Sequence, residues 1–300
     1  MSDRRLGHDP MLILSAILTG LGLGAMYGLL ALGFHITYVV SNTVNFSQGS
    51  SMMLGAVLGY TFGVTLGWPM PLAILLALAG CAVYGLAVER FLVRPFADRG
   101  SNGWLMATVA GGIVLDNTVL FTFGKEPRNF PSPWASEAVD VFGIGAYPLQ
   151  LVIPGVGIVA AALLSFVLRN TKHGKAMSAV VQRPEAARLM GINTRFVIAG
   201  AFAVSTVLAG TAGLLIAPLF NVSSSMGLVF GIKAFATAIL GGIGSAWGVV
   251  IAGLLYGLVE ALTTAFLGSS YTQIIGFSMI ILALFFLPNG LLGQAEIKKV

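Results

Sequence analysis

Four ionisable residues interrupt apolar stretches of this 300-residue chain: His35, Asp116, Lys233 and Glu260. An ionisable group inside an apolar run is costly to bury and is a candidate for function by default. Asp116 and Glu260 can accept a cation or a proton, as the coupling carboxylates of an ion-driven carrier would, and Lys233 can meet an anion. Plainer readings stand beside these. Either carboxylate can pair with a cation or cap a broken helix, and His35 can be a hydrogen-bonded packing residue. A polar set, Asn42, Asn45 and Gln48, follows the first apolar run. Other chemistry is sparse. Three histidines and the single cysteine, Cys81, stand at separate positions and offer no metal cluster, and no Ser–His–Asp set is apparent. The pairs Gly124-Lys125 and Gly174-Lys175 lack the upstream glycine and the following Ser or Thr of a phosphate loop. Glycine-rich 241–248 has no preceding strand and reads as a turn between membrane segments.

The elements that hold these residues are apolar and long. Apolar residues make up 57% of the chain and charged ones 9%, against about 25% charged in an ordinary soluble domain. A soluble globular enzyme, a disordered chain and a disulfide scaffold are excluded. Strands of a membrane barrel would alternate polar and apolar residues, which these runs do not. At ~20 apolar residues per crossing the composition allows about eight helices. The expected fold is all-α, a polytopic membrane helical bundle forming a single transmembrane domain over 1–300. Nine runs compete for the eight places: 11–39, 50–66, 69–89, 103–123, 148–168, 196–220, 228–246, 247–267 and 270–287. One is expected to be partial or re-entrant, with 228–246 the first choice. The net charge of +5 lies between the runs, so membrane topology explains it better than nucleic acid does.

Loop charges orient the bundle. Loop 169–195 holds Arg169, Lys172, Lys175, Arg183, Arg188 and Arg195 against Glu185 alone, and loop 89–99 holds Arg90, Arg94 and Arg99. Both belong in the cytoplasm. Loop 124–147 carries Glu126, Glu137 and Asp140 against Lys125 and Arg128 and belongs outside. Lys298 and Lys299 place the C-terminus inside; three crossings before residue 90 would put the N-terminus outside, the preferred reading, and two crossings would put it inside. Gly55, Gly59, Gly63 and Gly67 recur every fourth residue, as do Gly253 and Gly257, and Gly20, Gly24 and Gly28. Such stripes let helix backbones approach closely. A channel lined by bare glycine is the alternative.

Within loop 169–195, Pro184 suits a first helical turn, Glu185 faces the positive end of the helix dipole, and Gly191 can close the helix. A short capped helix over 184–190 is expected. It fits a docking element for a cytoplasmic partner and equally an amphipathic helix lying on anionic lipid.

The same residues resemble a known family. Glu185-Ala186-Ala187 with Gly191 is similar to the E-A-A-x-x-x-G coupling motif of ABC importer permeases. The run from Gln182 to Ile192 resembles, more narrowly, the permeases for branched-chain amino acids, the LivH type. So do Asn45-Phe46-Ser47-Gln48-Gly49 with Met53-Leu54-Gly55, Lys233-Ala234-Phe235 through Leu240 to Ser245, Gly257-Leu258-Val259-Glu260, and Pro288-Asn289-Gly290-Leu291-Leu292-Gly293. The likeness runs along almost the whole chain. It implies a permease subunit of the bacterial cytoplasmic (inner) membrane that binds no cofactor. ATP would be used by two separate cytoplasmic ATPase subunits docked at Glu185, Ala186, Ala187 and Gly191. A second permease subunit, related or identical, and an external substrate-binding protein would complete the complex. A zwitterionic amino acid in the pathway needs an acceptor for its ammonium, for which Asp116 is suited. It also needs donors for its carboxylate, for which Lys233 or the set Asn42, Asn45 and Gln48 is suited. The same pattern would serve urea or short amides, and an ion-coupled amino-acid carrier remains the reading from another class.

Overall fold

The computed structural model describes residues 10–136, 138–141, 144–182, 184–287 and 289–293. The charges at Arg4, Arg5, Glu137, Arg183, Lys298 and Lys299, and Pro288, lie outside the described residues. Helices follow in the order α1 (Pro10–Ser41), α2 (Gln48–Tyr60, prolonged by a π-helical turn Thr61–Thr65), α3 (Met70–Ala87, prolonged by π-helical Val88–Val93), α4 (Arg94–Ala97), α5 (Trp104–Phe123) and α6 (Pro133–Ser136). A small antiparallel hairpin of β1 (Val139–Val141) and β2 (Ile144–Ala146) pairs Asp140 with Gly145. Then come α7 (Pro148–Asn170), α8 (Lys172–Gln182), α9 (Pro184–Leu189), α10 (Thr194–Ile216), α11 (Met226–Gly241), α12 (Ala246–Phe266) and α13 (Thr272–Phe286). Seven stretches among the described residues are long and apolar enough to span a membrane, and α11 is a shorter apolar helix. The polytopic helical bundle expected from composition is thus the observed fold.

Helix α1 is the central post, and its contact with α12 is the largest between any two elements. The contact is glycine on glycine. A Cβ on Gly24 would fall 2.6 Å from the Gly253 carbonyl oxygen, and one on Gly20 3.0 Å from that of Gly257. Backbone contact at this distance replaces the hydrophobic drive that helices lack in lipid. The pairings run Gly20–Gly257, Gly24–Gly253 and Gly28–Val250, so the two helices are antiparallel. Against α7 the pairings rise together, Gly22 with Gln150 and Gly157 with Ala25, so α1 and α7 are parallel. The start of α1 therefore lies at the end of the bundle that carries residues 124–147, the outer end by charge.

Two helices start within the bundle. Gln48, the first residue of α2, sits beside Gly33 and Ser205, deep in α1 and α10. Ser41 ends α1 eight residues past Gly33, or roughly 12 Å at 1.5 Å per residue, so 42–47 climbs back that far into the bundle. Gly227, at the start of α11, packs on Gly49 with no room for a Cβ on either. The partial element is thus not 228–246 alone. Both α2 and α11 are partial, because each follows a re-entrant strap, 42–47 or 217–225. The second strap is tied to the outer face by reciprocal backbone bonds between Arg128 and Val222 of 2.9 and 2.8 Å.

The ends that carry the basic segments also differ from expectation. Residues 88–97 are helical, so 89–99 is not an open loop. Glu89, 3% exposed, forms a two-pronged pair with Arg94 at 2.9 and 2.6 Å, which removes Arg94 from the free loop cations. Asp98 approaches Arg195 at 3.6 Å. Exposed as it is, this pair contributes at most about 1 kcal/mol, but it places segments 89–99 and 169–195 on one face.

Candidate functional site

The loop 169–195 is built mostly of helix. Thr171 turns the chain from α7 into α8: its hydroxyl accepts the Gly174 N–H at 3.1 Å, and Gly174 lies too close to the Val167 and Leu168 backbone for a side chain. Val180 of α8 is buried, which pins this helix to the bundle. The sequence reading missed α8, whose signals are the Thr171 cap and the Met177/Val180 spacing.

Helix α9 spans Pro184–Leu189, one residue shorter than the 184–190 expected from its sequence. It closes as a Schellman turn. Gly191 N–H donates to the Arg188 carbonyl at 3.0 Å and Ile192 N–H to that of Ala187 at 3.0 Å, while Gly191 takes φ +81°. Ala187 is buried and faces the bundle, and Arg188 Nε donates to Thr194 Oγ1 at 3.0 Å. The opposite side points away from the protein: Glu185 and Ala186 are exposed, Leu189 is 89% exposed and Met190 82%. Two large apolar side chains held on a rigid, basic loop are an unsatisfied surface.

The pathway candidates separate in the fold. Lys233 is already paired: its Nζ lies 2.5 Å from Glu260 Oε1, and the Tyr27 hydroxyl donates to Glu260 Oε2 at 2.9 Å. These groups tie α11, α12 and α1 together beside an apolar cavity of about 560 Å³ that includes Thr19, Phe220 and Thr264. Lys233 is thus not a waiting donor. His35 bonds through Nδ1 to the Ile243 carbonyl at 2.8 Å, on the wall of a cavity of about 640 Å³ that Arg169 also lines. Gln48 is engaged as well: Nε2 donates to the Ser205 carbonyl at 2.9 Å and Oε1 accepts from Ser205 Oγ at 3.0 Å, clamping α2 to α10. Asn42 is exposed at the end of α1 with φ +53°, a turn residue outside this cluster.

Asn45 and Asp116 differ from the rest. Asn45 is fully buried. Its Oδ1 accepts from Ser47 N at 3.1 Å and Ser47 Oγ at 2.6 Å, yet its Nδ2 has no partner. Asp116, half-buried, has Ser50 beside its carboxyl, and its Oδ1 is buried without a partner. Thr108, Gly112 and Asp116 follow one another at four-residue spacing along α5 and face the first turn of α2. There, Phe46 N–H donates to Thr108 Oγ1 at 3.3 Å, and Gly112 packs on Ser47 and Ser50.

Of the glycine stripes, Gly253 and Gly257 meet α1, Gly55 meets Gly210 of α10, Gly59 meets Leu214, and Gly63 lies 3.3 Å (as a Cβ) from the Met70 sulfur. Gly67 departs from the stripe. It has φ +67°, nothing lies within 4 Å of its Cβ position, and it belongs to the turn before α3, because the π-helical turn ends at Thr65. Its four-residue spacing is coincidental, and its conformation is the reason for glycine there.

Over residues 16–284 the sequence matches the family described as branched-chain amino acid transport system / permease component. It is 32% identical to the high-affinity branched-chain amino acid transport system permease protein LivH of Escherichia coli (strain K12), covering 96% of this chain and 97% of that one. It is 30% identical to BraD of Pseudomonas aeruginosa, a permease protein of the same description, over 96% of this chain and 98% of the relative. A solved structure, PsaBC from Streptococcus pneumoniae in complex with Fab, aligns at TM-score 0.50 and 12% identity over 93% of this chain and 92% of that one, a likeness of fold alone. With the whole bundle matched from α1 to α13, the chain belongs to the branched-chain amino acid transport system permease family and is a multi-pass transport subunit of the membrane.

Proposed function

We propose that this chain forms the translocation pathway of an ATP-binding-cassette importer for branched-chain amino acids in the cytoplasmic (inner) membrane. A second permease subunit completes the pathway, an external binding protein delivers the substrate, and two separate cytoplasmic ATPases use the ATP. Helix α9 is the coupling element. The end-to-end likeness to LivH and BraD supports the substrate class. The single observation that supports coupling is the Schellman-closed α9, which presents exposed Leu189 and Met190 on a basic face while Ala187 anchors it to the bundle.

ATP binding would bring the two ATPases together, and α9 would pass that motion through α8 to α7 and, through Arg188–Thr194, to α10. The bundle then moves between two packings, each favoured by a different nucleotide state. The lipid-surface reading of α9 leaves Leu189 and Met190 in the headgroup layer and needs no second protein. Reconstitution of the chain with its permease partner, ATPases and binding protein tests the proposal. Leucine uptake is expected only with ATP. Uptake by this chain alone, driven by an ion gradient, would overturn it.

A further inference from the structure

We infer that the first turn of α2, with Asp116 of α5 beside it, is a station for the zwitterionic head of an α-amino acid: Asn45 Nδ2 meets the carboxylate and Asp116 Oδ1 the ammonium. This rests on the branched-chain amino acid reading above.

The argument starts from what the other polar groups already do. Lys233 and Glu260 neutralise each other, Glu89 is held by Arg94, and Gln48 and Ser205 complete one another. Among the described residues, the two buried side-chain atoms without a partner are Asn45 Nδ2 and Asp116 Oδ1. An unmet buried donor or acceptor costs about 1–3 kcal/mol, and a charged one more. Two such atoms, one a donor and one an acceptor, flank the same helical turn.

The amide orientation of Asn45 is set by its neighbours. The Ser47 N–H can only donate, so the Asn45 atom facing it is the oxygen, and the atom left over is the N–H₂ donor. The field there is positive. The α2 N-terminus is inside the bundle, and the α11 N-terminus meets it where Gly49 touches Gly227. Two helix dipoles thus present their positive ends to one region of low dielectric, an arrangement suited to a carboxylate. Asp116 supplies the opposite sign one helical turn beyond Gly112 on α5. A head group carrying both charges satisfies both orphans and brings no net charge into the membrane.

The station is shut in this packing, because Gly112 presses on Ser47 and Ser50. Helix α5 is the element suited to open it. Its buried residues, Thr108, Gly112, Val119 and Phe123, form one stripe, and its far side, Met106, Ile113, Val114 and Phe121, is exposed. Drawing α5 away from α2 uncovers Asn45 and leaves α1, α10 and α12 in place.

The test uses the whole transporter in proteoliposomes and reads leucine moved per ATP hydrolysed. Asp116→Asn keeps the shape and removes the charge; Asn45→Leu keeps the branched outline and removes the donor, together with the oxygen that Ser47 bonds. Each is expected to lower the ratio about tenfold, with Asp116→Glu recovering much of the loss. A ratio unchanged in Asp116→Asn overturns the station, as does a fall in uptake and hydrolysis together that Asp116→Glu fails to rescue. Should Asn45→Leu not fold, Asn45→Ser replaces it, with the same expected fall and the same refuting result. If the wild-type complex moves no branched-chain amino acid with ATP, the function proposal fails instead, and the two failures are told apart.

Discussion

Replacing Lys233 by Met should destabilise the bundle in a way that removing Glu260 as well largely repairs. Both side chains are more than four-fifths buried, and their charged atoms lie 2.5 Å apart. Stranding one partner of a buried pair costs about 3–5 kcal/mol. The Tyr27 hydroxyl still donates to Glu260 at 2.9 Å, and a hydrogen bond to a charged group retains roughly 1.5–3 kcal/mol. The expected net loss for Lys233→Met is about 2 kcal/mol. In Lys233→Met/Glu260→Met no charge is stranded, and the remaining defect is a tyrosine hydroxyl without its acceptor, about 1 kcal/mol. Thermal unfolding in detergent, followed by the fluorescence of the four tryptophans, measures this. At about 2–4 °C per kcal/mol for a large chain, the single variant should melt about 4–8 °C lower and the double variant within about 4 °C of wild type. Equal shifts in the two variants, or no shift in Lys233→Met, would refute the assignment of Lys233 to a structural pair and return it to the pathway.

Four further outcomes are expected. Gly24→Ala places a methyl 2.6 Å from the Gly253 oxygen and 2.7 Å from Leu254 Cα, so it should cost about 1–3 kcal/mol and reduce the yield of monodisperse protein on size-exclusion chromatography. Gly200→Ala, also helical but with open space, should leave yield and melting unchanged or raise the melting temperature slightly. Gln48→Leu strips the clamp between α2 and α10 and leaves the Ser205 hydroxyl with the Gly33 carbonyl alone, which a melting shift of about 1–3 kcal/mol should record. Glu185→Lys and Gly191→Asp should insert normally yet lose co-purification with the ATPases, since both sites are exposed and Gly191 alone carries the strained φ of +81°. Full retention of the ATPases by both variants would count against a coupling role for α9.

Helix α9 was legible because every determinant is local: a proline at the first turn, an acid beside it, alanines, and a glycine where φ must be positive. The family was legible for a related reason, as its motifs are short and each is read without knowing its neighbours. The α1–α12 glycine contact was half legible: spacing marks a face for close packing, but not the partner. Gly67 marks the limit, since four-residue spacing means a face only while the helix lasts.

By itself the sequence determined a membrane bundle and a short capped helix within a basic loop, because hydropathy, charge and capping act within a few residues. Only the tertiary structure decided that α2 and α11 start inside the bundle, that Lys233 and Glu260 are spent on each other 27 residues apart, and that Asn45 and Asp116 are left with unmet atoms. Depth in a membrane and the partner of a buried polar atom depend on what packs alongside, across separations such as the 157 residues between Gln48 and Ser205. Apolar runs look alike whether they cross the bilayer or stop half-way, so that distinction rests on packing.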